Sequence, residues 1–148
     1  MHNGFWMVLA FFVAAIIHEA GHATAWRLLA GARIRGVGLG LPGRFSMSFA
    51  IGQGFAISCS PLLLTAYVVI ENGAGILQNL SRSKKIVVHG AGIAANMATL
   101  LGIFMLAPFI GRLPVELSLL GAASLVLALM NIFFVDGWRI ARAALGRA

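Results

Sequence analysis

The chain has 148 residues, of which 60% are hydrophobic and only 10% charged, with a mean hydropathy of +0.94. Soluble domains carry roughly a quarter charged residues, so this composition excludes that class and points to an integral membrane protein forming one compact unit. Eleven Lys and Arg stand against four acids, a net charge of +7, but the cations cluster at the ends of apolar runs, which marks them as topology determinants and not as nucleic-acid contacts.

In chain order, the first element is an apolar run whose ionisable side chains between Gly4 and Ala30 are His18, Glu19, His22 and Arg27. About 20 apolar residues cross the hydrocarbon, so a first transmembrane helix is read over residues 4–28. No cationic n-region precedes it, and His18 and Glu19 interrupt it. It is therefore expected to persist and not to be cleaved as a signal peptide. Residues 31–80 read differently. Arg33–Leu39 and Phe45–Phe49 alternate with small or polar residues on either side of Leu41-Pro42-Gly43, which predicts a β-hairpin. A third strand is expected over Phe55–Ser58, after Gly52-Gln53-Gly54. The single cysteine, Cys59, excludes an internal disulfide and a Cys-rich metal motif.

Ile86–Gly111 and Leu117–Val135 contain no Asp, Glu, Lys or Arg. They predict second and third transmembrane helices over 86–108 and 115–136, with Pro108, Gly111 and Pro114 marking the turn between them. Phe55–Ile70 is also apolar, but it is short for a span and contains Pro61. With three spans, Arg27, Arg33, Arg35 and Arg44 fall on the same side as Arg82, Lys84 and Lys85, and as Arg139, Arg142 and Arg147. The positive-inside rule makes that side cytoplasmic. This places the N-terminus outside and a tail of residues 137–148 in the cytoplasm, and it makes 55–80 strand, re-entrant or surface-lying structure. The expected fold is a membrane α-helical core of three transmembrane helices. A small membrane-associated β-hairpin or sheet is inserted between the first and second.

His18-Glu19-Ala20-Gly21-His22 has the form H-E-x-x-H. On a helix the histidines at i and i+4 share a face and reach one zinc ion, with the glutamate beside the metal-bound water as general base. Such hydrolytic sites take a third protein ligand and keep one open position. Of the other acids, Glu71 lies in the irregular middle, Glu116 in the far turn, and Asp136 at the inner end of the third span. At 1.5 Å per residue His18 lies ~21 Å from Gly4, and Asn96 ~15 Å in from Ile86, so all three spans bring a polar residue to one level. The alternative for Asp136 is a helix-end pair with Arg139, three residues on. Asn96 suits either contact with substrate backbone or a developing oxyanion, or an interhelical hydrogen bond. Gly90 and Gly92 suit close helix packing.

Three stretches together resemble the site-2 protease family of intramembrane zinc metalloproteases. Ile16-Ile17-His18-Glu19-Ala20-Gly21-His22 is similar to its zinc-binding helix, and Ala91-Gly92-Ile93-Ala94-Ala95-Asn96 to its A-G-P-x-A-N stretch. Asn131-Ile132-Phe133-Phe134-Val135-Asp136-Gly137-Trp138-Arg139 looks like its N-x-x-P…D-G-G-R segment. The resemblance implies an intramembrane endopeptidase with one zinc per chain held by His18, His22 and Asp136. Glu19 is then the catalytic base, and Asn96 and Asn131 are substrate-binding or oxyanion residues. It also implies a transmembrane protein or peptide substrate, with the insert pairing to the unwound segment, and the charge distribution above puts the expected cut near the cytoplasmic side of the bilayer. A regulatory membrane partner gating access is compatible with it. The chain departs from the family in Ile93 for the usual proline, Trp138 for the second glycine, and a shorter, proline-free Asn131–Asp136 segment. In a continuous helix residues five apart point about 140° from one another, which would keep Asn131 out of the site. Two other readings follow from the same residues: a catalytically impaired relative that binds and escorts membrane proteins, and a membrane zinc hydrolase of a lipid or small molecule.

Overall fold

The computed structural model describes residues 2–40, 46–52, 54–60 and 66–146. The expected turn Leu41-Pro42-Gly43, together with Arg44, Phe45, Gln53, Pro61 and Arg147, lies outside them. Three long helices, α1 (His2–Ala30), α3 (Arg82–Ile110) and α4 (Val115–Phe133), pack against one another. Each is long and apolar enough to cross a membrane, compatible with a multi-pass membrane protein. Only 17%, 6% and 22% of their most apolar windows is buried within the protein. Residues such as Leu101, Phe104 and Phe109 accordingly face outward, which water would penalise and lipid does not.

The helix boundaries follow local chemistry. Ser81 caps α3 by accepting from the Lys84 amide at 3.5 Å. The helix runs through Pro108 and stops at Gly111, whose φ of 77° opens the turn. The second span is thus longer at both ends than 86–108, and Pro108 lies inside it. Helices α1 and α3 meet at backbone contact. A Cβ added to Gly21 would lie 2.5 Å from the Ala91 carbonyl oxygen and 2.8 Å from Ala95 Cβ, the close approach that small residues permit between apolar helices. Ala10, Ala14 and Ala123 form the core at one end of the bundle, with Leu119, Leu120 and Leu127 around them.

The third span differs from its expected course. Helix α4 ends at Phe133, and a short helix α5 begins at Asp136 and runs to Ala144. No proline causes this break. The backbone folds back so tightly that a Cβ on Gly137 would collide with the Ile132 carbonyl, a path that only glycine allows.

Between α1 and α3 lies a four-stranded mixed sheet of β1 (Ile34–Leu39), β2 (Met47–Ala50), β3 (Ala56–Cys59) and β4 (Ala66–Ile70), in the order β2-β3-β1-β4. A short helix α2 (Gly73–Asn79) follows. The expected hairpin between the first two strands does not form. Strand β1 pairs in parallel with β3 and antiparallel with β4, while β2 pairs with β3. Turn chemistry explains the difference. Gly52 and Gly54 have φ of 62° and 80°, and the Ile51 amide donates to the Phe55 carbonyl at 2.7 Å, so the hairpin closes there. Gly36 then lets the Ala56 carbonyl approach β1, and Gly38 leaves space for the Tyr67 ring. Residues 55–80, where described, are therefore strand and short helix.

Candidate metal centre

One turn of α1 separates His18 from His22, so their rings lie on one face with centroids 4.8 Å apart. The break before α5 turns the Asp136 carboxylate toward them. His18 Nε2 lies 3.0 Å from Asp136 Oδ2, His22 Nε2 lies 3.1 Å from the same oxygen, and the two Nε2 atoms are 3.1 Å apart. His18 and Asp136 are buried, and these three side chains form a group that can hold a metal ion. Arg139, three residues along α5, approaches the other carboxylate oxygen only to 3.9 Å. The principal partners of Asp136 are the imidazoles.

Helix α3 supports the histidines from behind. The Nδ1–H of His22 donates to the Val88 carbonyl at 2.8 Å, and the Asn96 side-chain amide lies 3.4 Å from His18 Nδ1. Gly92 makes this approach possible, since a Cβ there would sit 2.5 Å from His22 Nε2 and 2.6 Å from His18 Nε2. Gly90 faces Ile140 at an ordinary 3.7 Å and has no such requirement. Helix α3 continues unbroken through Ile93, and Trp138 points outward, so neither departure alters the cluster.

A cavity of about 710 Å³ opens on the cluster, and Glu19, Asn131 and Asp136 all line it with both histidines. With the helix broken, Asn131 lines the same cavity as Asp136. Asn131 donates one amide hydrogen to the Leu127 carbonyl at 2.9 Å while lining the cavity beside Glu19. Asn96 is fully buried behind His18 and lines neither of the two cavities described here beside Glu19.

Two contributions were not visible in the sequence. The Val88 carbonyl is a backbone group with no sequence signal. The inner wall formed by Ala66, Tyr67, Val68 and Ile70 places β4, an outermost strand of the sheet, beside Glu19, an arrangement that depends on strand order. His89, Arg139 and Arg142 line the same cavity. Compared with known proteins, the chain matches no family model and no curated protein.

Proposed function

We propose that this protein is a zinc-dependent intramembrane endopeptidase that cleaves a transmembrane substrate near the cytoplasmic side of the membrane, as its resemblance to the site-2 protease family implies. The observation that carries the proposal is the triangle of His18 Nε2, His22 Nε2 and Asp136 Oδ2, with edges of 3.0, 3.1 and 3.1 Å. Tetrahedral zinc with N and O ligands at about 2.0–2.2 Å sets its ligand atoms about 3.3 Å apart, close to those edges. The donor chemistry agrees. His22 spends its Nδ1–H on Val88, so in its neutral form the ring turns a lone pair toward the Asp136 carboxylate, and such converging electron pairs suit a cation.

When bound by these three residues, zinc supplies Lewis-acid polarisation of the scissile carbonyl and acidifies the attacking water. Glu19, next to His18 in sequence and lining the same cavity, accepts the proton of that water on its carboxylate and passes it to the leaving amine. Strand β4 receives the substrate as an added strand, because an extended segment exposes its carbonyls and a helical one does not. Asn131 contacts the seated segment from the other wall. The sheet edge at the cavity favours a peptide over a lipid or small molecule.

The test combines metal analysis with cleavage of a co-expressed membrane substrate. Wild-type protein is expected to carry about one zinc per chain. Asp136→Ala is expected to lose the metal, and Glu19→Gln to retain it while cleavage falls by roughly 10²–10⁴-fold. A zinc-free wild type, or a Glu19→Gln variant that cleaves normally, overturns the reading.

A further inference from the structure

We infer that Asn96 is a positioning residue for His18. Its carboxamide oxygen accepts the His18 Nδ1–H and so keeps Nε2 unprotonated and aimed at the metal centre. The inference rests on the zinc reading above and assigns Asn96 a task away from the substrate. Three observations carry it. First, the Asn96 side chain is fully buried, with no exposed surface for a substrate to touch, and it does not line the two cavities described above beside Glu19. Second, its amide is 3.4 Å from His18 Nδ1, while its Oδ1 is buried with no hydrogen-bond partner. Amide oxygen and nitrogen are distinguished by the hydrogen-bond network and not by shape. Exchanging the two ends gives that oxygen a donor, provided the imidazole proton is on Nδ1.

Third, His22 already shows the same arrangement. Its Nδ1–H donates to the Val88 carbonyl at 2.8 Å and its Nε2 faces Asp136. Both imidazoles thus turn Nε2 inward and Nδ1 toward α3, one against a backbone carbonyl and the other against a side-chain amide. A ligating histidine is generally held in this way, with its second nitrogen donating to an oxygen that fixes ring orientation and tautomer. Val88 and Asn96 are eight residues apart on one helix, so α3 acts as a rigid backing for both rings, with Gly92 between them giving the clearance.

The test uses purified full-length protein titrated with zinc and, separately, with cobalt(II), whose absorption spectrum reports ligand geometry. Asn96→Leu removes the acceptor and is expected to weaken zinc binding by roughly 10–100-fold and to alter the cobalt spectrum. Asn96→Asp keeps an acceptor oxygen and is expected to bind zinc within a few-fold of wild type, with an unchanged cobalt spectrum. Nitrogen NMR of ring-labelled histidine is expected to place the His18 proton on Nδ1 in wild type and Asn96→Asp. Folding is checked by helical circular dichroism, and Asn96→Asp keeps the test decisive where Asn96→Leu does not fold. Wild-type zinc affinity in Asn96→Leu, or weakened binding in Asn96→Asp, overturns the inference while leaving the zinc reading intact. A wild type that binds neither metal overturns both.

Discussion

At the scale of single residues, the site depends on which atoms are removed as much as on which are present. His18 Nε2, His22 Nε2 and Asp136 Oδ2 converge within 3.1 Å because Gly92 carries no side chain between α3 and the rings. Gly92→Ala places a methyl group 2.5–2.6 Å from both Nε2 atoms. Overpacking of this kind costs about 1–3 kcal/mol. The expected outcome is a folded protein whose zinc affinity falls at least roughly tenfold, measured by competition with a chelator. Gly90→Ala is the control, since its Cβ meets only Ile140 at 3.7 Å, and zinc binding is expected to be unchanged.

At the scale of elements, two backbone features decide whether the side chains can act together. The first is the break between α4 and α5. Gly137→Ala drives a methyl group into the Ile132 carbonyl, so the chain must open and Asp136 must move. Zinc affinity is expected to drop by roughly 10–100-fold while circular dichroism shows the helices retained. The second is the pairing of β4 with β1. Gly38→Val puts its added carbon within the Tyr67 ring and displaces β4 from the cavity wall. All three candidate ligand side chains belong to helices α1 and α5, so zinc is expected to stay bound. Cleavage is expected to fall roughly 100-fold, as misplacement of a positioning element by about 1 Å does. Glu71 at the end of β4 pairs with Arg35 of β1. The guanidinium lowers the Glu71 carboxyl below its ordinary value, so this clasp is present at neutral pH and is lost as acid protonates the carboxylate.

At the scale of the whole molecule, the inner end of α1, the first half of α3, and α5 meet at one level. The contacts of His22 with Val88 and of His18 with Asp136 join them there. The sheet attaches at the same end, where Ile70, Ile76 and Leu77 pack against Trp26 and Val88. Of the basic residues near the helix ends, Arg27, Arg82, Lys84, Lys85 and Arg139 lie toward this end, and Arg112, between α3 and α4, lies at the other. Reporter fusions after Leu80 and after Ala148 are expected to report the same, cytoplasmic, side of the membrane. Opposite locations for the two would overturn the three-span topology, and a shared location outside would overturn the orientation.

The sequence by itself determined the three apolar helices, because length and hydropathy are local properties summed over some 20 residues. It also determined that His18 and His22 share a face with Glu19 between them, because helical periodicity alone sets that relation. Tertiary structure decided the rest. Alternation of side chains revealed strands near 34–39, 47–50 and 56–59, but partner choice rests on pairings across the sheet, and β1 chose β3 and β4 over β2. Asn131 and Asp136 share a cavity only because the backbone doubles back at Gly137, a close approach between residues that no periodicity encodes. The H-E-x-x-H stretch therefore specifies two imidazole donors with a carboxylate between them. The third donor, its distance and the strand beside it arise from how α3, α5 and β4 pack around α1.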